Sequence, residues 1–442
     1  MDDVTRRGFL AATPVAGAAM TPRKAGSPAE KPALLGGKRV RTEGFPSWPV
    51  FDQREEQALV EVLRSGRWFR GYGDAARAIP RFEQAYARLT GARFCLATSS
   101  GTGALHTSLG ALGVGPGDEV ILPPYTFVAT LNVILNVYAL PVFVDSDLET
   151  AQVDARKIEA AITERTVAMI PVHLAGNVAD LDTIMTVARK RKVAVVEDTC
   201  QSHLAEWRGR KAGTYGNTGC FSFQASKNLN CGEGGAILTN DEDLYEKCYA
   251  YHWNGGARSP KFSDLMHGTK FLPSEFQAAL LLAQMTRLEE QAKTRGQNGQ
   301  YLTSLLREIP GIAPARMYEG CTRNAYHGFI FRYQQEQFAG LPKAKFLKAL
   351  SAEGIPASSG YTPLNKKRYL KNALDSRGYR RIYSKEQIAR LEERNQCPVN
   401  DRLCEETVWI MPSVLLAGRS DMEQIAEAMR KIHAHASELA RA

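Results

Sequence analysis

The stretch CFSFQASKNLNCGEGGAILTN, Cys220 to Asn240, places one lysine, Lys227, between a short apolar strand and a glycine-rich turn. Phe221 and Phe223 alternate with polar Ser222 and Gln224, the period of a strand with one buried face. Gly232, Gly234 and Gly235 mark the turn before a second strand, Ala236 to Thr239. Lys227 therefore stands at a strand exit. A desolvated lysine there has a lowered pKa and can attack a carbonyl to give a Schiff base. In a chain with 56 Lys and Arg, a lone lysine is ordinarily a solvated surface residue, so its neighbours decide the matter.

Upstream, short apolar runs alternate with helical patterns from Arg93 onwards. The runs are Phe94 to Thr98, Glu119 to Leu122, Pro141 to Val144, Val167 to Val172 and Val193 to Glu197. Helical segments near Thr102 to Leu112, Phe127 to Tyr138, Ala155 to Ile162 and Leu181 to Arg191 separate them. This order predicts an α/β fold with a mostly parallel sheet covered on both faces, and ligand sites in such sheets lie at the carboxyl ends of strands.

Three of those ends carry chemistry. In TSSGTGALH, Thr98 to His106, a helix opens at Gly101 and Thr102, where backbone N–H groups can hold a phosphate. In PPYTFVAT, Pro123 to Thr130, Tyr125 or Phe127 can stack on a planar heteroaromatic ring; either could equally be core. In VVEDTCQSH, Val195 to His203, Asp198 can keep a pyridine nitrogen protonated, while Gln201 or His203 can reach a neighbouring ring oxygen. Each signal alone is weak. In this order, with Lys227 after them, they describe a pyridoxal 5'-phosphate site.

The arrangement resembles the fold-type I aminotransferases, and in particular the DegT/DnrJ/EryC1/StrS family of sugar and cyclitol aminotransferases. The run PVHLAGNVADLDTIMTVARKRKVAVVEDTCQSHLA, Pro171 to Ala205, is similar to the family pattern. The resemblance implies a large domain with a mostly parallel seven-stranded sheet and a smaller C-terminal α/β domain. It also implies roles: Lys227 as the cofactor-bearing lysine, Asp198 as the pyridine-nitrogen partner, and Phe127 as the stacking aromatic. Gly101, Thr102 and Ser222 are implied phosphate ligands, Gln201 lies near the ring hydroxyl, and Asn254 in HWNGG reaches the phosphate of a neighbouring subunit. A homodimer with shared active sites follows. His327 and Tyr361 are expected to shape the acceptor pocket. The family's Asn-aromatic-Arg step is replaced here by Lys270-Phe271-Leu272, and Tyr361 stands where relatives often carry a histidine.

The flanks complete the plan. Thr5-Arg6-Arg7-Gly8-Phe9-Leu10 and the small apolar residues to Met20 resemble a twin-arginine export signal, with a periplasmic product expected and a cytoplasmic one as the alternative. A helix from Asp52 to Ser65 has Asp52 as N-cap and Glu55 as capping-box partner. A glycine-bearing loop with Trp68, Phe69 and Tyr72 follows, and then a second helix, Arg77 to Leu89. The apolar helix from Pro273 to Lys293 is the expected bridge between domains. The expected division is a signal and linker over 1–30, a large cofactor domain with an N-terminal arm over 31–290, and a small domain over 291–442.

Composition narrows the function classes. The chain has 442 residues, 44% hydrophobic and 23% charged, and a net charge of +9. No Lys/Arg tract with interleaved aromatics suggests nucleic acid, and beyond the N-terminus no apolar run approaches a membrane span. The eight cysteines lack C-x-x-C spacing, so neither a metal site nor a disulfide framework is indicated. The expected activity is transfer of an amino group from glutamate or glutamine to a keto sugar or keto cyclitol resembling scyllo-inosose. The alternatives are a cofactor-binding sugar sensor without turnover and a dehydratase of the same family, although the resemblance implies histidine at the Lys227 position in members that deoxygenate the sugar.

Overall fold

The computed structural model describes residues 30–71 and 77–442. The expected export signal, with Arg6 and Arg7, and the loop residues Tyr72 and Gly73 lie outside them. Two helices precede the sheet: α1, Gln53–Ser65, and α2, Ala78–Thr90. Asp52 caps α1, and its N–H donates to Glu55 Oε2 at 2.8 Å, closing the capping box.

The central sheet has seven strands: β1 (Phe94–Thr98), β2 (Glu119–Leu122), β3 (Leu140–Phe143), β4 (Thr166–Met169), β5 (Ala194–Asp198), β6 (Thr218–Ser222) and β7 (Gly235–Thr239). Their spatial order is β1-β7-β6-β5-β4-β2-β3. β7 pairs antiparallel with both β1 and β6, and the other pairings are parallel. The mostly parallel sheet expected from the alternation is thus present, with the seven strands that the resemblance implies. Its strands are buried from end to end apart from single positions, as in a sheet with helices on both faces. Among these helices are α3 (Gly101–Ala111), α4 (Val128–Asn136), α5 (Leu181–Arg191) and α6 (Glu242–His252).

Helix α7, Glu275–Leu306, runs 32 residues and is longer than the sequence pattern suggested. Its first half, with Ala278, Ala279, Leu281 and Leu288, packs in a core with Phe82, Tyr86, Phe221 and Phe223. Its last turns place Leu302 and Leu306 in a separate core. Gly296 and Gly299 hide this continuation in the sequence, because glycine weakens a helix. Gly299 has a packing reason: a Cβ there would stand 2.5 Å from the Tyr326 ring.

The second core surrounds a three-stranded antiparallel sheet, β8 (Ile312–Pro314), β9 (Phe329–Tyr333) and β10 (Thr407–Ile410), in the order β8-β9-β10. Helices α8, Lys343–Ala352, and Arg419–Ala434 cover it with Phe346, Leu350, Ile425 and Met429. The arm before α1 docks here too: Leu35, Val40 and Phe45 pack on this core, and buried Glu353 accepts from Ala33 N at 2.7 Å and Val40 N at 2.9 Å.

Residues 368–397 pack instead against the large sheet. Leu370, Leu374, Tyr379, Tyr383 and Leu391 join the core of β2, β3 and β4. Asn395 covers the edge strand β3, accepting from Phe143 N at 2.9 Å and donating to Pro141 O at 3.0 Å. Those are the hydrogen bonds a further strand would make, so the edge is closed to other chains.

Candidate active site

The carboxyl ends of β1, β2, β5 and β6 meet at a cavity of about 570 Å³. At the first end, Ser100 caps α3, its Oγ accepting from Gly103 N at 2.9 Å. Gly101 lies so close to β6 that a Cβ would stand 2.7 Å from Ser222 Cβ and 2.9 Å from Cys200 Sγ. A Cβ on Gly235 would meet Ser100 O at 2.3 Å. These two close approaches bring the amino terminus of α3, with Thr102, beside Ser222 on the cavity.

At the second end the two aromatics separate. Tyr125 is buried, its hydroxyl accepting from Trp409 Nε1 at 3.0 Å. Phe127, which precedes α4, lines the cavity and is 53% exposed. The third end holds Asp198, buried, with Oδ2 accepting from Thr130 Oγ1 at 2.8 Å and Oδ1 from Cys200 N at 3.2 Å. Thr130 is itself 3.0 Å from Thr126 Oγ1. Behind Asp198, buried Glu197 accepts from Gly213 N, Tyr215 N and Gly216 N and pairs with His173 Nε2 at 3.0 Å. This pins the segment after β5 in place.

Lys227 closes the cavity from the β6 to β7 turn, its N–H donating to Gln224 O at 2.8 Å. The turn is held from outside by Asn228, which donates to Ala325 O at 2.8 Å, and by Trp48 Nε1, which donates to Ala225 O at 2.8 Å. Burial lowers the Lys227 pKa, and Cys200 and Asp198 oppose that shift. Gln201 bridges two segments: Oε1 accepts from Ala175 N at 2.7 Å and Nε2 donates to Tyr361 OH at 3.0 Å. Burial pushes the Tyr361 hydroxyl up to about 12. His327 also lines the cavity; burial, then the charge of Lys227, holds its pKa well below the ordinary value, so it is a neutral imidazole.

The structure therefore brings Gly101, Thr102, Phe127, Asp198, Gln201, Ser222, Lys227, His327 and Tyr361 to one cavity. His203 is absent from it and packs between the Phe221 and Phe223 rings, at 5.7 and 5.6 Å. Asn254 is exposed on the loop after α6, with a φ of 51°, and is not part of this chain's cavity. Sequence reasoning missed Thr126, Thr130, Cys200, Gln224, Ser226 and Glu233, which also line it. The four-residue spacing of Thr126 and Thr130 at a helix start was a readable signal for the pair that holds Asp198.

The family model for DegT/DnrJ/EryC1/StrS aminotransferases matches residues 49–430. The chain belongs to this family. An L-glutamine:2-deoxy-scyllo-inosose aminotransferase of Streptoalloteichus tenebrarius is 38% identical over 426 residues, 92% of this chain and 98% of the relative. An L-glutamine:scyllo-inosose aminotransferase of Streptomyces griseus is 35% identical, over 92% and 99%. Among solved structures, 3-amino-5-hydroxybenzoic acid synthase superposes with a TM-score of 0.78 at 31% identity, covering 92% of this chain and all of that one. An aminotransferase from Psychrobacter cryohalolentis gives 0.75 at 29%, covering 87% and 97%.

The family's enzymes are aminotransferases that use pyridoxal 5'-phosphate, and this chain is one of them. Its residues fit the group. Gly101 lets the start of α3 pack against β6, a helix amino terminus and Ser222 supply donors for a phosphate, and Asp198 is a carboxylate already oriented by two donors.

Proposed function

We propose that this chain transfers an amino group from glutamine or glutamate to a keto sugar or keto cyclitol of the scyllo-inosose kind. The observation that carries the reading is Lys227 and Asp198 on one cavity at the ends of β6 and β5. The two cyclitol relatives support the substrate class. So does the lining, where Gln224, Ser226, Glu233 and Tyr361 offer hydrogen bonds to hydroxyl groups.

The cofactor, when bound, supplies an electron sink for the pair left on the donor's α-carbon. Lys227 Nζ takes the proton from that carbon as general base and later returns it as general acid, a role its burial favours by lowering the pKa of the amine. Asp198 would hold the proton of the pyridine nitrogen, its carboxylate fixed for that task by Thr130. The start of α3 and Ser222 would hold the phosphate, Phe127 and Gln201 would contact the ring, and Gln201 also anchors Tyr361 at the far side of the cavity.

The test is amination of scyllo-inosose with glutamine as donor, set against a nucleotide-linked keto sugar. Turnover of the free cyclitol is expected; strict dependence on the nucleotide would reject the substrate reading.

Two further readings accompany this one. The chain acts as a homodimer in which exposed Asn254 reaches the partner's cofactor phosphate, a reading supported by exposed Phe51, Leu63, Trp68 and Phe69 near α1. Mixing Lys227→Ala and Asn254→Ala subunits should restore about one quarter of wild-type activity through one intact site in each hybrid; no recovery would count against sharing. The protein is exported through the twin-arginine route, and changing Arg6 and Arg7 to Lys should retain it in the cytoplasm.

A further inference from the structure

Tyr361 is held on three sides. Gly360 before it has a φ of 70°, and its missing Cβ lets the chain lie against β10: a Cβ there would stand 2.5 Å from Trp409 Cδ1 and 2.6 Å from Tyr125 OH. Ser358 fixes the same segment to β10, its N–H donating to Trp409 O and its carbonyl accepting from Trp409 N, both at 2.9 Å. The Tyr361 ring meets Trp409 and Tyr125 edge-on, with centroids 5.3 and 5.6 Å away. Gln201 holds the hydroxyl from the third side.

The backbone decides which way that last bond runs. Ala175 N–H can only donate, so the amide oxygen of Gln201 faces it and the amide nitrogen faces Tyr361. Ala175 is buried, with a φ of 58°, and Gly176 beside it packs where a Cβ would meet Tyr326 N at 2.4 Å, so this N–H keeps its direction. The Tyr361 oxygen therefore accepts from Gln201, and its own O–H is left over. Among the described residues no protein group accepts that hydrogen. Tyr361 and Gln201 both line the cavity, and with its pKa raised by burial the phenol keeps its proton at neutral pH.

This arrangement is selective in one sense. An oxygen placed before the phenol completes its bonding, whereas a methylene in the same place leaves a buried O–H unpaired, which costs more than an average hydrogen bond contributes. We propose that Tyr361 determines acceptor specificity: its phenol, turned by Gln201, donates a hydrogen bond to one hydroxyl oxygen of the acceptor ring, so the site selects acceptors that carry an oxygen at that position. Gln201 is the positioning residue, since it acts on the acceptor through the direction of the phenol O–H. The proposal rests on the assignment of the acceptor as a keto cyclitol or keto sugar.

The test uses the full-length, cofactor-loaded protein with glutamine as donor, and scyllo-inosose and its monodeoxy analogues as acceptors, 2-deoxy-scyllo-inosose among them. Wild-type kcat/KM should fall at least about tenfold for one monodeoxy analogue, and in Tyr361→Phe the same analogue should come within about threefold of scyllo-inosose. The loss of Tyr361→Phe on scyllo-inosose should lie mainly in KM. In Gln201→Glu the carboxylate accepts from Ala175 N and from the phenol alike, which turns the O–H away from the cavity. Its discrimination should collapse as in Tyr361→Phe although ring and hydroxyl remain, a result that a purely structural role for Tyr361 would not produce. Equal discrimination in wild type and Tyr361→Phe would overturn the proposal, as would a wild type indifferent to every deoxy analogue. Calorimetric binding of scyllo-inositol, which has no carbonyl to aminate, reads the contact without turnover and should be about tenfold weaker in Tyr361→Phe. If wild type fails to aminate scyllo-inosose while that difference persists, the acceptor assignment falls and the contact stands. Equal or undetectable binding overturns the contact whether or not amination proceeds, so the two failures are distinguishable.

Discussion

Around Asp198 the polar atoms are spoken for: the carboxylate accepts from Thr130 and Cys200, and Gln201 ties Ala175 to Tyr361. Around Lys227 the reverse holds. Among the described residues, Nδ1 of His327, which lines the same cavity, is buried without a hydrogen-bond partner. Desolvated groups left unpaired are costly, and a protein retains them where they serve chemistry. The difference fits a division of labour. Asp198 must hold one protonation state and one orientation throughout the reaction, so it is fixed by hydrogen bonds. Lys227 must gain and lose a proton and a covalent bond in each cycle, so its neighbours leave it unheld and its amine short of solvation.

The comparison can be broken at either side. Lys227→Ala removes the one group that both carries the cofactor and moves the proton, and should lower turnover by at least about 10³-fold in a coupled assay of oxo-acid formation. Asp198→Asn keeps the shape but loses the charge that holds the pyridine proton, and should cost about 10²-fold with a changed visible spectrum. Thr130→Val removes one hydrogen bond to that carboxylate; a loss of about 1.5 kcal/mol corresponds to roughly tenfold in turnover with little change in melting temperature.

The smallest effect concerns His203. Folded, burial holds its pKa at about 3, whereas the unfolded side chain protonates near 6.5. Between these values the unfolded state binds the extra proton, so stability falls as pH drops below 6.5, by up to about 1.4 kcal/mol per pH unit. His203→Leu should flatten that part of the melting-temperature profile without changing the cavity lining. If the slope is unaltered, His203 is not the buried neutral group described here.

How far this division was legible in the sequence depends on whether each group is local to a βα unit. Gly101, Asp198 and Lys227 each end a short apolar strand, and strand ends in a parallel sheet converge by topology, so their meeting followed from the alternation alone. Phe127 and Tyr125 could not be told apart, because a two-residue spacing does not say which ring the small domain will cover; Trp409, far along the chain, decides it. The placement of residues 368–397 on the large sheet is likewise non-local, resting on contacts such as Asn395 with Pro141 and Phe143. Arg295 was the least readable of all. It stands in the polar text TRGQNGQ, which reads as a solvated face, and only the depth of α7 between the two cores buries it.

The central claim is that Lys227 and Asp198 form one cofactor site. Borohydride reduction of the purified yellow protein, followed by digestion and mass spectrometry, tests it most directly. The account predicts a single pyridoxyl-phosphate adduct on Lys227, and loss of the visible absorption band when glutamine is added before reduction. An adduct on another lysine, or a colourless protein that takes up no cofactor when supplied with it, would contradict it.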